Sequence, residues 1–207
     1  AYVKASNTGS ADNFGASVML SKDGNTLAVS APGEDSMATG IGGTDTDNTL
    51  TDSGAVYVFA RSGATWTQQA YVKASNSDLL DDFGSSLALS EDGNTMAVGV
   101  QNEDSVATGI DGDKADNTLT NAGAVFMFGR AGTIWSQKAY IKASNAGIDD
   151  NFGSSVTLSA DGKTLAVGAK SEDSVATGID GNQADNNISQ AGAVYVFALT
   201  DITWSQQ

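Results

Sequence analysis

Oxygen-bearing side chains gather in three stretches of this 207-residue chain. The first, residues 33–53, holds Glu34-Asp35-Ser36, Asp45 and Asp47-Asn48. The second holds Glu103-Asp104-Ser105 and then Asp111-Gly112-Asp113-Lys114-Ala115-Asp116-Asn117. The third holds Glu172-Asp173 and then Asp180-Gly181-Asn182-Gln183-Ala184-Asp185-Asn186. Carboxylate and amide oxygens at alternating positions around a turn-making glycine are a ligand set for a hard cation such as Ca²⁺. On this reading Asp35, Asp45, Asp47, Asp104, Asp111, Asp113, Asp116, Asp173, Asp180, Asn182 and Asp185 are candidate calcium ligands. The first stretch is the poorest, with Gly42 and Thr44 where the others carry Asp, or Asp and Asn. No stretch follows the twelve-residue EF-hand pattern. The competing use of the same residues is local: Asx-turns that satisfy the backbone of a long loop.

Other chemistry is narrowed by what is missing. The chain has no histidine and no cysteine, which removes the commonest general base, the commonest transition-metal ligand, thiolates and disulfides. No serine lies in a nucleophile-elbow context, and no carboxylate pair is singled out, so a non-enzymatic role is expected. A net charge of −15 disfavours nucleic acid as a partner, and no apolar run approaches the roughly 20 residues of a membrane span.

The elements that hold these stretches follow from a repeat. Asp12-Asn13-Phe14-Gly15 returns as Asp81-Asp82-Phe83-Gly84 and Asp150-Asn151-Phe152-Gly153, at 81 − 12 = 150 − 81 = 69 residues. Three units result, 1–69, 70–138 and 139–207, and all fifteen aromatics fall on five positions of the unit (Tyr2, Phe14, Tyr57, Phe59 and Trp66 in the first). A fixed period of this kind marks a stack of modules that bury their apolar faces against one another. Within the first unit, alternation predicts a strand over Phe14–Ser21, an Asp23-Gly24 hairpin and a return strand over Thr26–Ala31. A third strand follows the long loop at Gly54–Phe59, and a fourth runs from Trp66 across the unit boundary into Ala70-Tyr71-Val72-Lys73. The expected fold is all-β: three tandem four-stranded antiparallel blades of β-propeller type. The recurring tryptophans are expected in packing, Asp12, Asp81 and Asp150 as acceptors for turn N–H groups, and Lys4, Lys73 and Lys142 as edge-strand charges against wrong pairing.

Phe14-Gly15 and Ser30-Ala31-Pro32 resemble the Phe-Gly and Gly-Ala-Pro landmarks of FG-GAP repeats, the blades of integrin α-subunit propellers. The stretch from Asp12 through Trp66 to Lys73 is similar almost throughout to secreted prokaryotic proteins with tandem integrin-like repeats. The resemblance implies an extracellular β-propeller associated with adhesion and ligand binding, often with Ca²⁺. Only the first unit has the proline; the others read Gly99-Val100-Gln101 and Gly168-Ala169-Lys170. The integrin calcium loop between the first two strands is replaced by the short Asp-Gly hairpin, so its ligands have no counterparts here.

The split fourth strand carries the functional expectation. Ala1, Tyr2, Val3 and Lys4 begin a half-strand, and Trp204, Ser205, Gln206 and Gln207 end one, so each terminus is a fragment seeking the other. The in-phase ends suggest an excerpt of a longer array. The expected role is an extracellular scaffold that self-associates end to end, as filament or ring, with partners in other copies of itself or further repeats. The alternative is a Ca²⁺-dependent adhesion propeller that binds a cell-surface or matrix ligand through the long loops.

Overall fold

A computed structural model describes all 207 residues, as twelve strands and no helix. Blade 1 consists of β1 (Val18–Leu20), β2 (Thr26–Ala31), β3 (Ala55–Ser62) and β4 (Thr65–Val72). Blade 2 consists of β5 (Ser86–Leu89), β6 (Thr95–Val100), β7 (Ala124–Ala131) and β8 (Ile134–Ile141). Blade 3 consists of β9 (Phe152–Leu158), β10 (Thr164–Ala169), β11 (Ala193–Thr200) and β12 (Thr203–Gln206). Each blade is an antiparallel meander in chain order. The blades are propeller-like, and the three of them leave the ring unclosed.

The Asp-Gly hairpins form as expected. The Asp23 carboxylate accepts the Ser21 hydroxyl at 2.7 Å and the Asn25 N–H at 2.9 Å, while Gly24 takes the left-handed φ of 67° that closes the turn. The Ser21 bond, with those from Asn25, holds the Asp23 carboxyl down at about 2. The second strands occupy the expected residues, and the fourth strands of blades 1 and 2 cross the unit boundary.

Two expected boundaries are corrected. In blades 1 and 2 regular pairing begins at Val18 and Ser86 rather than at the Phe-Gly. The preceding backbone is turned, with Asn13 and Asp82 in the left-handed region, and the glycine N–H crosses early (Gly15 to the Ser30 carbonyl, Gly84 to that of Gly99). The third strands begin at the alanine after the glycine and run three residues further, to Ser62, Ala131 and Thr200.

The core lies mostly between blades. One cluster joins Val56, Val58 and Val72 of blade 1 to Phe83, Leu87 and Met96 of blade 2; another joins Val125, Met127 and Ile141 to Phe152, Leu165 and Trp204. The Phe of each Phe-Gly packs edge-on against an aromatic of its own third strand: Phe14 on Tyr57 at 5.4 Å, Phe83 on Phe126 at 5.7 Å, Phe152 on Tyr195 at 5.3 Å. That contact accounts for two of the five fixed aromatic positions. Backbone bonds repeat across both blade interfaces, Phe83 N–H to the Ser53 carbonyl and Phe152 N–H to that of Ala122. Glu91 N–H likewise reaches Ala160, as Lys22 N–H reaches Glu91. At this approach Gly54 and Gly123 are required: φ is near 80° in each, and an added Cβ would collide with the backbone of Phe83 or Phe152.

Candidate functional site

Two blades have an outer-strand seat that is filled by the start of the next unit. Ala70-Tyr71-Val72 extends β4 alongside Val58, Tyr57 and Val56 of β3; Ala139-Tyr140-Ile141 does the same on β7. The long loop then closes over the entering segment. Gly42 N–H donates to the Tyr71 carbonyl at 2.9 Å and Lys73 N–H to the Gly40 carbonyl at 2.8 Å. In blade 2 Asp111 N–H donates to the Tyr140 carbonyl at 2.7 Å, and the Asp111 carboxylate accepts the Tyr140 N–H at 2.8 Å. Ile41 and Ile110 bridge to Val72 and Ile141.

At the bottom of each filled seat is a buried ion pair. Lys73 Nζ donates to Glu34 Oε2 at 2.8 Å and to Ser53 Oγ at 2.6 Å; both charged side chains are within 1 % of fully buried. Lys142 Nζ donates to Glu103 Oε2 at 2.8 Å with the same burial. Burial pulls both ammonium groups below the usual lysine range, and the facing carboxylate pushes them back up. The tyrosine two residues earlier completes the lock. Tyr71 and Ser36 hydroxyls share a hydrogen bond of 2.5 Å, and Tyr140 donates to Glu103 Oε1 at 2.7 Å. Burial raises the phenols of Tyr71 and Tyr140 far above their ordinary range, so both keep their protons. The expected edge-charge role for Lys73 and Lys142 is therefore corrected: β3 and β7 are covered at that level, and the lysines point inward to a carboxylate.

Blade 3 has the seat without the segment. Glu172 is buried, accepts Asn145 Nδ2 at 2.9 Å and Ser174 Oγ at 3.0 Å, and has no lysine. Val194 of β11 is 70 % exposed where its counterparts Val56 and Val125 are fully covered. The expected strand at Trp204–Gln207 forms as β12, which pairs Gln206 with Phe197 and stops there; Gln207 N–H donates to the Val196 carbonyl. Beyond it is an open groove of about 590 Å³, lined by Glu172, Ser174, Ile179, Asp180, Val194 and Val196 among others. At the other end Ala1–Ala5 forms no strand. Tyr2 is 89 % exposed, against 4 % for Tyr71, and Lys4 lies in solvent.

Most of the candidate calcium ligands accept hydrogen bonds from N–H groups of their own loops. Asp35 accepts the Asp52 N–H, Asp104 that of Asn121 and Asp173 that of Gln190. Asp47 and Asp185 accept the N–H groups of Met37 and Val175, while Asp113, Asp116 and Asn182 accept the N–H two residues on. Asp45 accepts the Ser6 hydroxyl, and Asp180 stands exposed at the rim of the open groove. No three acidic side chains meet as a metal-holding group. Asp12, Asp81 and Asp150 accept the N–H of the residue three before, as expected of turn acceptors.

Sequence reasoning left Glu34, Glu103 and Glu172 without a role of their own. A signal was present: Lys73 follows Glu34, and Lys142 follows Glu103, by the same 39 residues (73 − 34 = 142 − 103). Asn7, Asn76 and Asn145 were also passed over, and each donates to the glutamate of its own blade.

No curated protein sequence matches the chain. The model of the FG-GAP repeat family matches residues 135–197, from within β8 to the middle of β11. The matched segment recurs in register in the two preceding units, with the same strands, hairpins and aromatic contacts. Residues 135–197 carry an FG-GAP repeat, and the two preceding units repeat its landmarks in register.

Proposed function

We propose that this chain is a non-catalytic structural module of the extracellular space that associates end to end with further copies of itself. One observation carries the reading: its two end faces are the two halves of an interface that the chain already contains twice. Blade 3 presents Val194 and Val196, the counterparts of Val56 and Val58 that cover blade 2. Blade 1 presents Val18 and Leu20, each more than half exposed, the counterparts of the Leu87 and Leu89 that receive them. Apolar surface of this kind on both ends of an otherwise acidic molecule is stabilised by association. No helix is long and apolar enough to cross a membrane, which is compatible with this role.

Sedimentation velocity from micromolar to millimolar protein tests it. Species growing in steps of one chain are expected, with electron microscopy showing rings or fibres. A chain that sediments as a monomer throughout would overturn the reading.

A further inference from the structure

The open groove on blade 3 specifies what enters it. We infer that Ala1–Ala5 of a second copy inserts there as the outer half of the fourth strand, with its Lys4 ammonium on Glu172 and its Tyr2 hydroxyl at Ser174. This rests on the end-to-end reading above and deepens it, by naming the segment and the residues that recognise it.

The argument is continuity with an interface that is already built. Ala1-Tyr2-Val3-Lys4-Ala5 is identical to Ala70-Tyr71-Val72-Lys73-Ala74, the segment seated on blade 1. The receiving groups shared by the two filled seats are present on blade 3; Ser53, which also accepts from Lys73, is replaced by Ala122 and Ala191. Glu172 corresponds to Glu34 and Glu103, Ser174 to Ser36 and Ser105, and Ile179 to Ile41 and Ile110, which bridge to the entering strand. Asp180 corresponds to Asp111, whose carboxylate accepts the N–H of the entering tyrosine. Both ends of the contact are open: Ile179 is 92 % exposed, Tyr2 and Lys4 lie in solvent, and the groove is unfilled.

Glu172 makes the groove selective. A carboxylate buried against Asn145 and Ser174 without a cation favours an occupant with an ammonium at one position of its strand. The fixed offset from Tyr2 to Lys4 then sets register, since a slip of one residue would turn the lysine to the opposite face of the strand. Copies are thereby joined in one polarity and with the blade spacing of the interior.

Two chains with opposite defects test this. Lys4→Glu spoils the inserted segment and leaves the groove intact; Val194→Asp spoils the groove and leaves the segment intact. Both positions are solvent-exposed in the single chain, so each variant folds, which its melting curve checks. Each alone is expected to lose association by at least about thirty-fold in dissociation constant. Their equimolar mixture is expected to form dimers and nothing longer, because only one good segment and one good groove remain per pair. Lys4→Met combined with Glu172→Gln is expected to lose less than the product of the two single losses, the signature of direct coupling.

If Lys4→Glu assembles like the unaltered chain, or the mixture of two folded variants stays monomeric, strand insertion is overturned while end-face association stands or falls separately. If the unaltered chain is monomeric, both proposals fall. If a fourth repeat fused after Gln207 then fills the groove and protects its amides from exchange, the seat belongs to a following repeat rather than to a second copy.

Discussion

The buried lysine of blade 2 offers a test of the lock without any assembly. Lys142→Met keeps most of the aliphatic stem and removes the ammonium that lies 2.8 Å from Glu103 Oε2, both groups being buried. Glu103 would keep its bonds from Ser105, Tyr140 and Asn76, but as a desolvated carboxylate without a cation. Breaking a buried pair from one side costs about 3–5 kcal/mol. For a chain of this size about 2–4 °C is lost per kcal/mol, so melting falls by about 6–20 °C. The assay is urea denaturation at a protein concentration where the chain is monomeric, followed by tryptophan fluorescence. Two controls come from the repeat itself. Lys4→Met alters a solvated side chain and leaves the monomer's midpoint unchanged. Glu172→Gln, which relieves a buried charge with no lysine, leaves it unchanged or raises it, whereas Glu103→Gln lowers it. A Lys142→Met variant losing less than about 1 kcal/mol, the worth of an exposed pair, would refute the assignment of the seat's specificity to this ion pair.

Three further outcomes are expected. Gly123→Ala places a methyl group on the Phe152 backbone at a left-handed φ, so it lowers the melting temperature, while Gly132→Ala, at a left-handed turn with open space, costs less. Burial pushes the Asp81 carboxyl up from 3.8 to about 7 and that of Asp150 to about 6. The folded chain therefore holds these protons where the unfolded chain has lost them, so stability falls as pH rises from about 4 to about 7; melts across that range should show the fall, and Asp81→Asn should flatten it. Calcium in excess, compared with chelator, should leave the melting temperature unchanged because the loop carboxylates bond to their own backbone; a rise that saturates with calcium would place ions in the loops.

What could be read from the residues was local or strictly periodic. Asp23-Gly24 makes its hairpin wherever it lies between apolar runs, and the Phe-Gly landmark carries its own aromatic partner in the same unit. The strand start at Val18 was not legible, since alternation from Phe14 continues through residues whose backbone turns to left-handed φ at Asn13 and Gly15. The loop carboxylates were ambiguous for a chemical reason: a calcium ligand and an Asx-turn acceptor are the same side chain, and only the direction of the oxygens separates them. Lys73 misled because a lysine near a strand end is ordinarily a solvated edge charge. Its partner lies 39 residues back in the preceding unit, and opposite charges at that distance carry no local signature (73 − 34 = 39).

The exactness of the period explains why the ends should match. With no insertion between units, the same step carries blade 1 onto blade 2 and blade 2 onto blade 3, so the surface of blade 3 that faces outward is the one that, on the other two, is covered. A contact made by repeating that step is heterologous, and it closes into a ring or runs on as a fibre according to the rotation per blade. Two chains supply six blades, within the four to eight that closed propellers use. In either geometry the proposed lock would be the same: each chain would donate one Lys4 and offer one Glu172, and the number of open grooves in an assembly would be zero for a ring and one for a fibre.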